Sequence, residues 1–159
     1  MDYPQRKRRR LPQYDYSSAG SYFLTVCTKD KRCTLGTVGR DDLGAPQVQL
    51  TARGTLAQRY ICAIETAYHD VTVEKYAVMP NHIHILLTLH NGAPGSARPT
   101  QRIPRLVAAL KRVTNRAAGE ELWQTSYYDH VVRGEADFLR IWSYIHTNPA
   151  RWAEDEYYL

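Results

Sequence analysis

An α+β fold, with strands and helices in the order βαββαβ around an antiparallel sheet, follows from three observations. Runs rich in β-branched and aromatic residues at 21–28, 71–78 and 82–89 have strand composition, and Trp123 to Arg133 adds a fourth. Two segments between them, 52–67 and 103–117, space their apolar residues at helical intervals. Met79-Pro80-Asn81 is turn chemistry that sends the second strand back as the third. That order is the ferredoxin-like pattern, in which two helices cover one sheet face and leave the other open.

The elements follow in chain order. Residues 1–20 read as a basic arm, because the block Arg6-Lys7-Arg8-Arg9-Arg10 repels itself and resists packing. Ser21 to Thr28 is the first strand, and 29–50, with several glycines and Pro46, is a loop or hairpin. Thr51 suits an N-cap for a helix through Leu56, Tyr60, Ile61 and Ile64. The stretch 90–100 is a Gly/Pro/Ser loop. Beyond it, Ile103, Leu106, Val107, Leu110 and Val113 stripe one face of a helix, while Arg105, Arg112 and Arg116 share another. Gly134 breaks the fourth strand, and Glu135 to Thr147 forms a last helix ended by Asn148-Pro149. The expected division is an arm at 1–20, a domain at 21–149 and a tail at 150–159.

Composition narrows the function. A chain of 159 residues with 43% apolar content suits one globular domain. No apolar run approaches the roughly 18 residues that cross a bilayer, and the basic N-terminus lacks the apolar stretch of a signal peptide. Cytoplasmic residence and no membrane partner are expected. Cys27, Cys33 and Cys62 lack metal-type spacing and read as reduced and mostly buried. A net charge of +5 and a pI of about 9.2 favour a polyanionic partner.

The chemistry centres on His82-Ile83-His84. Alternation along a strand puts both imidazoles on one face, half of a metal site, with Ile83 on the other. A bare His-x-His also occurs in ordinary strands, so the last helix matters. There Phe138, Ile141, Trp142 and Ile145 form the packing face, and Arg140, Tyr144 and Asn148 recur every four residues on a separate stripe. Tyr144 can be a nucleophile one turn from an amide ligand, although for the helix taken alone an ordinary packing tyrosine is the default reading. Asp129 and His130 are alternative ligands, ranked second because they point to opposite strand faces.

Further blocks sharpen this reading. Tyr76-Ala77-Val78-Met79-Pro80-Asn81-His82-Ile83-His84 resembles the HUH motif of single-strand DNA nicking enzymes. Arg10-Leu11, Tyr14-Asp15-Tyr16-Ser17 and Tyr22 to Thr28 resemble the N-terminal block of the REP-associated tyrosine transposases. Trp123 to Arg133 and Tyr144 to Trp152 resemble that family's C-terminal blocks. The resemblance implies Tyr144 as nucleophile, with His82, His84 and Asn148 as ligands of Mg²⁺ or Mn²⁺. It also implies a palindromic single-stranded DNA hairpin of the REP type as partner, and a monomer or homodimer.

The implied reaction is attack of Tyr144 on a phosphodiester, giving a 5′-phosphotyrosyl enzyme and a free 3′-OH that can later reverse the step. The metal, Arg140 or Lys111 could favour the phenolate. Arg6, Lys7, Arg8, Arg9 and Arg10, with Arg105, Lys111, Arg112 and Arg116, are the candidate phosphate contacts. Tyr14, Tyr16, Tyr127 and Tyr128 can stack on bases, with core or rim packing favoured for the last two. Two alternatives stay open: a non-catalytic binder of structured DNA or RNA hairpins, and a metallo-hydrolase using water.

Overall fold

The β-rich runs form four strands of one antiparallel sheet: β1 (Gly20–Cys27), β4 (Val71–Met79), β5 (His82–Leu89) and β6 (Tyr128–Val131). Their spatial order is β4-β5-β1-β6, which matches the expected ferredoxin-like arrangement. The computed structural model describes residues 19–90 and 102–158. The expected arm therefore lies almost wholly outside the described residues, as does most of the 90–100 loop. Within 29–50 the chain forms a hairpin, β2 (Gly36–Arg40) paired with β3 (Pro46–Leu50) as a separate two-stranded sheet.

Alternation divides β5 between two cores. Ile83, Ile85, Leu87 and Leu89 face the main core, together with Tyr22, Leu24 and Val26 of β1. Two helices close that core, α1 (Ala52–Cys62) and α3 (Arg102–Ala118), with the short α2 (Ile64–Ala67) beside them. Thr51 caps α1 as expected, its hydroxyl accepting from the Gly54 N–H at 3.2 Å. On α3 the predicted stripe is buried through Ile103, Leu106, Val107 and Leu110.

The other face is not open. α4 (Gly134–Thr147) lies across it, with Ile141 and Ile145 packed on Leu86 and edged by Phe23, Ala77, Phe138 and Trp142. A register shift between Val73 and Lys75 turns Lys75 to this side, where its ammonium sits 4.4 Å from the centre of the Trp142 ring. Helical periodicity shows which side of α4 is apolar, but it does not show which sheet face receives it.

Two further expectations need correction. The fourth strand is short, because Trp123 turns inward and donates its indole N–H to the Thr114 hydroxyl at 2.7 Å. Gln124 and Ser126 then give their carbonyls to the Lys111 ammonium, at 2.7 and 3.1 Å, instead of to a ladder. The cysteines are free thiols, yet only Cys27 is buried while Cys33 and Cys62 are exposed.

A candidate metal and tyrosine site

β1, β5 and α4 bring the site together. The register pairs Thr25 with His84 and Cys27 with His82, so all four side chains lie on the face that α4 covers. Across that junction Tyr144 meets His84 edge-on, with ring centroids 5.4 Å apart. One turn later Asn148 is buried beneath the same surface. The predicted nucleophile and its three predicted ligands thus converge from residues far apart in the chain.

The histidines are not on an exposed sheet face: His82 is 0% and His84 1% accessible. The segment after Asn148 encloses them. A 3-10 helix from Pro149 to Glu154 turns the chain back, and the Tyr157 ring lies 4.5 Å from that of His82. Asn81 fastens this segment by donating Nδ2 to the Tyr157 carbonyl at 2.7 Å. Asp155 Oδ2 reaches within 3.8 Å of His82 Nε2, its side chain only 1% exposed. The sequence reading missed Asp155 and Tyr157, since a short aromatic and acidic stretch without periodicity carries no signal for where it folds.

The donor set fits a divalent cation. His82, His84 and Asp155 each offer a ligand atom, all within 4.8 Å of one another. Asn148 Oδ1 is buried with no hydrogen-bond partner among the described residues, while its Nδ2 donates to Asp155 at 3.2 Å. An orphaned amide oxygen costs about 1–3 kcal/mol, which a cation would offset. Burial pushes His82 down to about 3, with the Asn148 amide pulling the other way. Burial, then the neighbouring His82, holds His84 well below the imidazole range. Both rings are therefore neutral, the form that ligates. Mixed imidazole and oxygen donors suit Mn²⁺ better than Mg²⁺, which prefers oxygen.

Tyr144 opens onto a cleft of about 1040 Å³ walled by Phe23, His84, Tyr128, His130, Arg140 and Tyr157. Burial raises its phenol above the ordinary tyrosine value; Asp155 and Glu156 add to this and Asn148 opposes it. Arg140 shares the cleft but pairs with Asp137. Asp137 also accepts from His130 at 2.7 Å, so His130 stands outside the ligand cluster, as does Asp129. Tyr127 is a core residue, and Tyr128 stands at the cleft rim with its ring 6.5 Å from that of Tyr157.

The predicted phosphate contacts are elsewhere. Arg105, Arg112 and Arg116 are exposed on α3, which covers the sheet face opposite the histidines. Lys111 is held by the carbonyls of Gln124 and Ser126 on that same side, so it does not reach Tyr144 to favour a phenolate. Arg6 to Arg10 lie outside the described residues.

No family model matches the chain. An uncharacterized protein of Haemophilus influenzae is 29% identical over 173 residues, covering 97% of this chain and 93% of that protein. A REP-associated tyrosine transposase of Escherichia coli K12 is 22% identical over 136 residues, covering 86% of this chain and 70% of the relative. The chain resembles the REP-associated tyrosine transposases. Among solved structures, a REP-associated tyrosine transposase bound to a REP hairpin superposes with a TM-score of 0.63 at 20% identity, over 92% of this chain and 76% of the other. That likeness shows a shared fold, and no helix among the described residues is long and apolar enough to cross a membrane.

Proposed function

We propose that this chain is a metal-dependent enzyme that nicks single-stranded DNA hairpins and transfers the strand through Tyr144. The observation that carries the proposal is the convergence of Tyr144 on two buried, neutral imidazoles and an orphaned amide oxygen. His82, His84 and Asn148, joined by Asp155, would hold Mg²⁺ or Mn²⁺. When bound, such an ion supplies charge stabilisation at the scissile phosphate.

Tyr144 Oη forms the new bond to phosphorus as the bond from phosphorus to the 3′ oxygen breaks. The phenol gives up its proton and the departing 3′ oxygen gains one, leaving a 5′-phosphotyrosyl enzyme and a 3′-OH. The exchanged bonds are of one type, so a second 3′-OH reverses the step and joins strands without ATP. Phe23 and Tyr128 on the cleft wall are suited to stacking on unpaired bases, at about 1–3 kcal/mol each. Lys31 and Arg151 also line the cleft and would meet phosphates near Tyr144. Arg105, Arg112 and Arg116 would track a different part of the DNA from the one being cut, and Arg6 to Arg10 would act as a phosphate clamp. The catalytic unit then runs past the expected boundary at 149, since Asp155 belongs to the site.

The test is incubation with end-labelled hairpin DNA from the flanks of the gene, plus Mn²⁺, followed by a denaturing gel. Label migrating with the protein, lost in Tyr144→Phe and with EDTA, supports the proposal. Cleavage that survives Tyr144→Phe overturns it in favour of water as nucleophile. A second reading, a non-catalytic binder of structured DNA or RNA hairpins, draws on the closure of the histidines by Tyr157; it predicts binding unchanged by Tyr144→Phe and no cleavage.

A further inference from the structure

We propose that Asn81 and Thr25 are positioning residues that set the proton positions on the two histidines, Asn81 holding His82 in one tautomer and Thr25 letting His84 exchange between two. The inference rests on the metal-site reading above and adds how the site is prepared for the ion.

The orientation of the Asn81 amide follows from its partners. Nδ2 donates to the Tyr157 carbonyl at 2.7 Å and to the Lys31 carbonyl at 3.3 Å. The amide oxygen is thereby turned to His82, whose Nδ1 lies 2.9 Å away. A carboxamide oxygen only accepts, so His82 carries its proton on Nδ1 and presents a lone pair at Nε2.

His84 completes the chain. Its Nε2 lies 3.0 Å from His82 Nε2, and its Nδ1 lies 2.8 Å from the Thr25 hydroxyl. Two facing lone pairs at that distance would repel. When no cation joins them, His84 carries its proton on Nε2, donates it to His82, and accepts from Thr25 at Nδ1. A cation ligated by both Nε2 atoms requires the opposite His84 tautomer, with Nδ1–H donating to Thr25. A hydroxyl serves both states because it donates and accepts; the Asn81 oxygen permits only one state of His82. Removing outer partners of this kind typically weakens metal binding 10–100-fold.

The experiment is long-range ¹H–¹⁵N NMR of the full chain labelled at histidine, at neutral pH, in EDTA and then with Zn²⁺ as a diamagnetic probe. Calorimetric Mn²⁺ titration accompanies it. Expected without metal are Nδ1–H on His82 and Nε2–H on His84; with Zn²⁺, both rings carry Nδ1–H. Asn81→Ala and Thr25→Val each weaken Mn²⁺ binding about 10–100-fold, whereas Thr25→Ser keeps it. Nε2–H on His82 in the metal-free wild type overturns the assignment without any variant. Unchanged Mn²⁺ affinity in Asn81→Ala and Thr25→Val also overturns it. Wild-type protein that binds neither ion contradicts the metal-site reading and the Thr25 half of the proposal, while the metal-free tautomer of His82 still decides the Asn81 half.

Discussion

The Asp155 carboxylate lies 3.8 Å from His82 Nε2, and both side chains are shut off from water. A buried carboxylate beside a neutral imidazole is costly unless something positive joins them. Among the described residues its oxygens otherwise accept from the Asn148 amide at 3.2 Å and the Tyr157 N–H at 2.8 Å. Asp155→Asn is expected to weaken Mn²⁺ binding by at least about tenfold, the low end for loss of even an outer-shell partner. Calorimetry checks this, and equal affinity in the variant would remove Asp155 from the ligand set.

Acid should destabilise the metal-free protein. Above the ordinary imidazole value of about 6.5, His82 is neutral in both folded and unfolded chains. Below it the unfolded chain binds a proton that folded His82, pushed down to about 3 by burial, does not accept. Stability therefore rises with pH between about 3 and 6.5 and flattens above, and the loss reaches roughly 3 kcal/mol by pH 4. His84 is displaced in the same direction and adds to the slope. Thermal melts in EDTA from pH 7 to pH 4 should show this fall, with a shallower one in His82→Gln.

The basic residues of α3 separate into two kinds. Lys111 joins α3 to the 124–126 loop through two carbonyls, so Lys111→Ala is expected to cost about 1–3 kcal/mol in urea denaturation. Arg112 is exposed, and Arg112→Ala should leave stability unchanged. If α3 tracks phosphates, that variant binds hairpin DNA more weakly and lowers the salt slope by about one.

The placement of Tyr144 depends on how α4 is seated. Ile145, 1% exposed, packs with Ile141 on Leu86 in the small core under the helix. Ile145→Ala should cost about 2–5 kcal/mol, read by urea denaturation. Adduct formation should fall even at temperatures where the variant is fully folded.

Much of this was legible from residue patterns, and the exceptions share a cause. Alternation put His82 and His84 on one face, and the four-residue stripe joined Tyr144 to Asn148, because both patterns are local. Strand order followed from the turn at 79–81 and the helical spacing between strands. The side of the sheet that α4 covers depends on a long-range choice that periodicity leaves undetermined. Asp155 reaches the site through one irregular turn and the Asn81 contact to the Tyr157 carbonyl, neither of which has a sequence pattern. Asn81 itself read as a turn former, and its second role becomes visible only with His82 beside it.

The most direct test is peptide mapping by mass spectrometry after reaction with a single-stranded hairpin and Mn²⁺. A 5′-phosphotyrosyl reaction at this site predicts a nucleotide adduct on Tyr144, absent without metal and absent in His84→Ala. An adduct on another tyrosine, such as Tyr128 or Tyr157 in the same cleft, would contradict the assignment of Tyr144, and cleaved DNA with unmodified protein would contradict covalent catalysis.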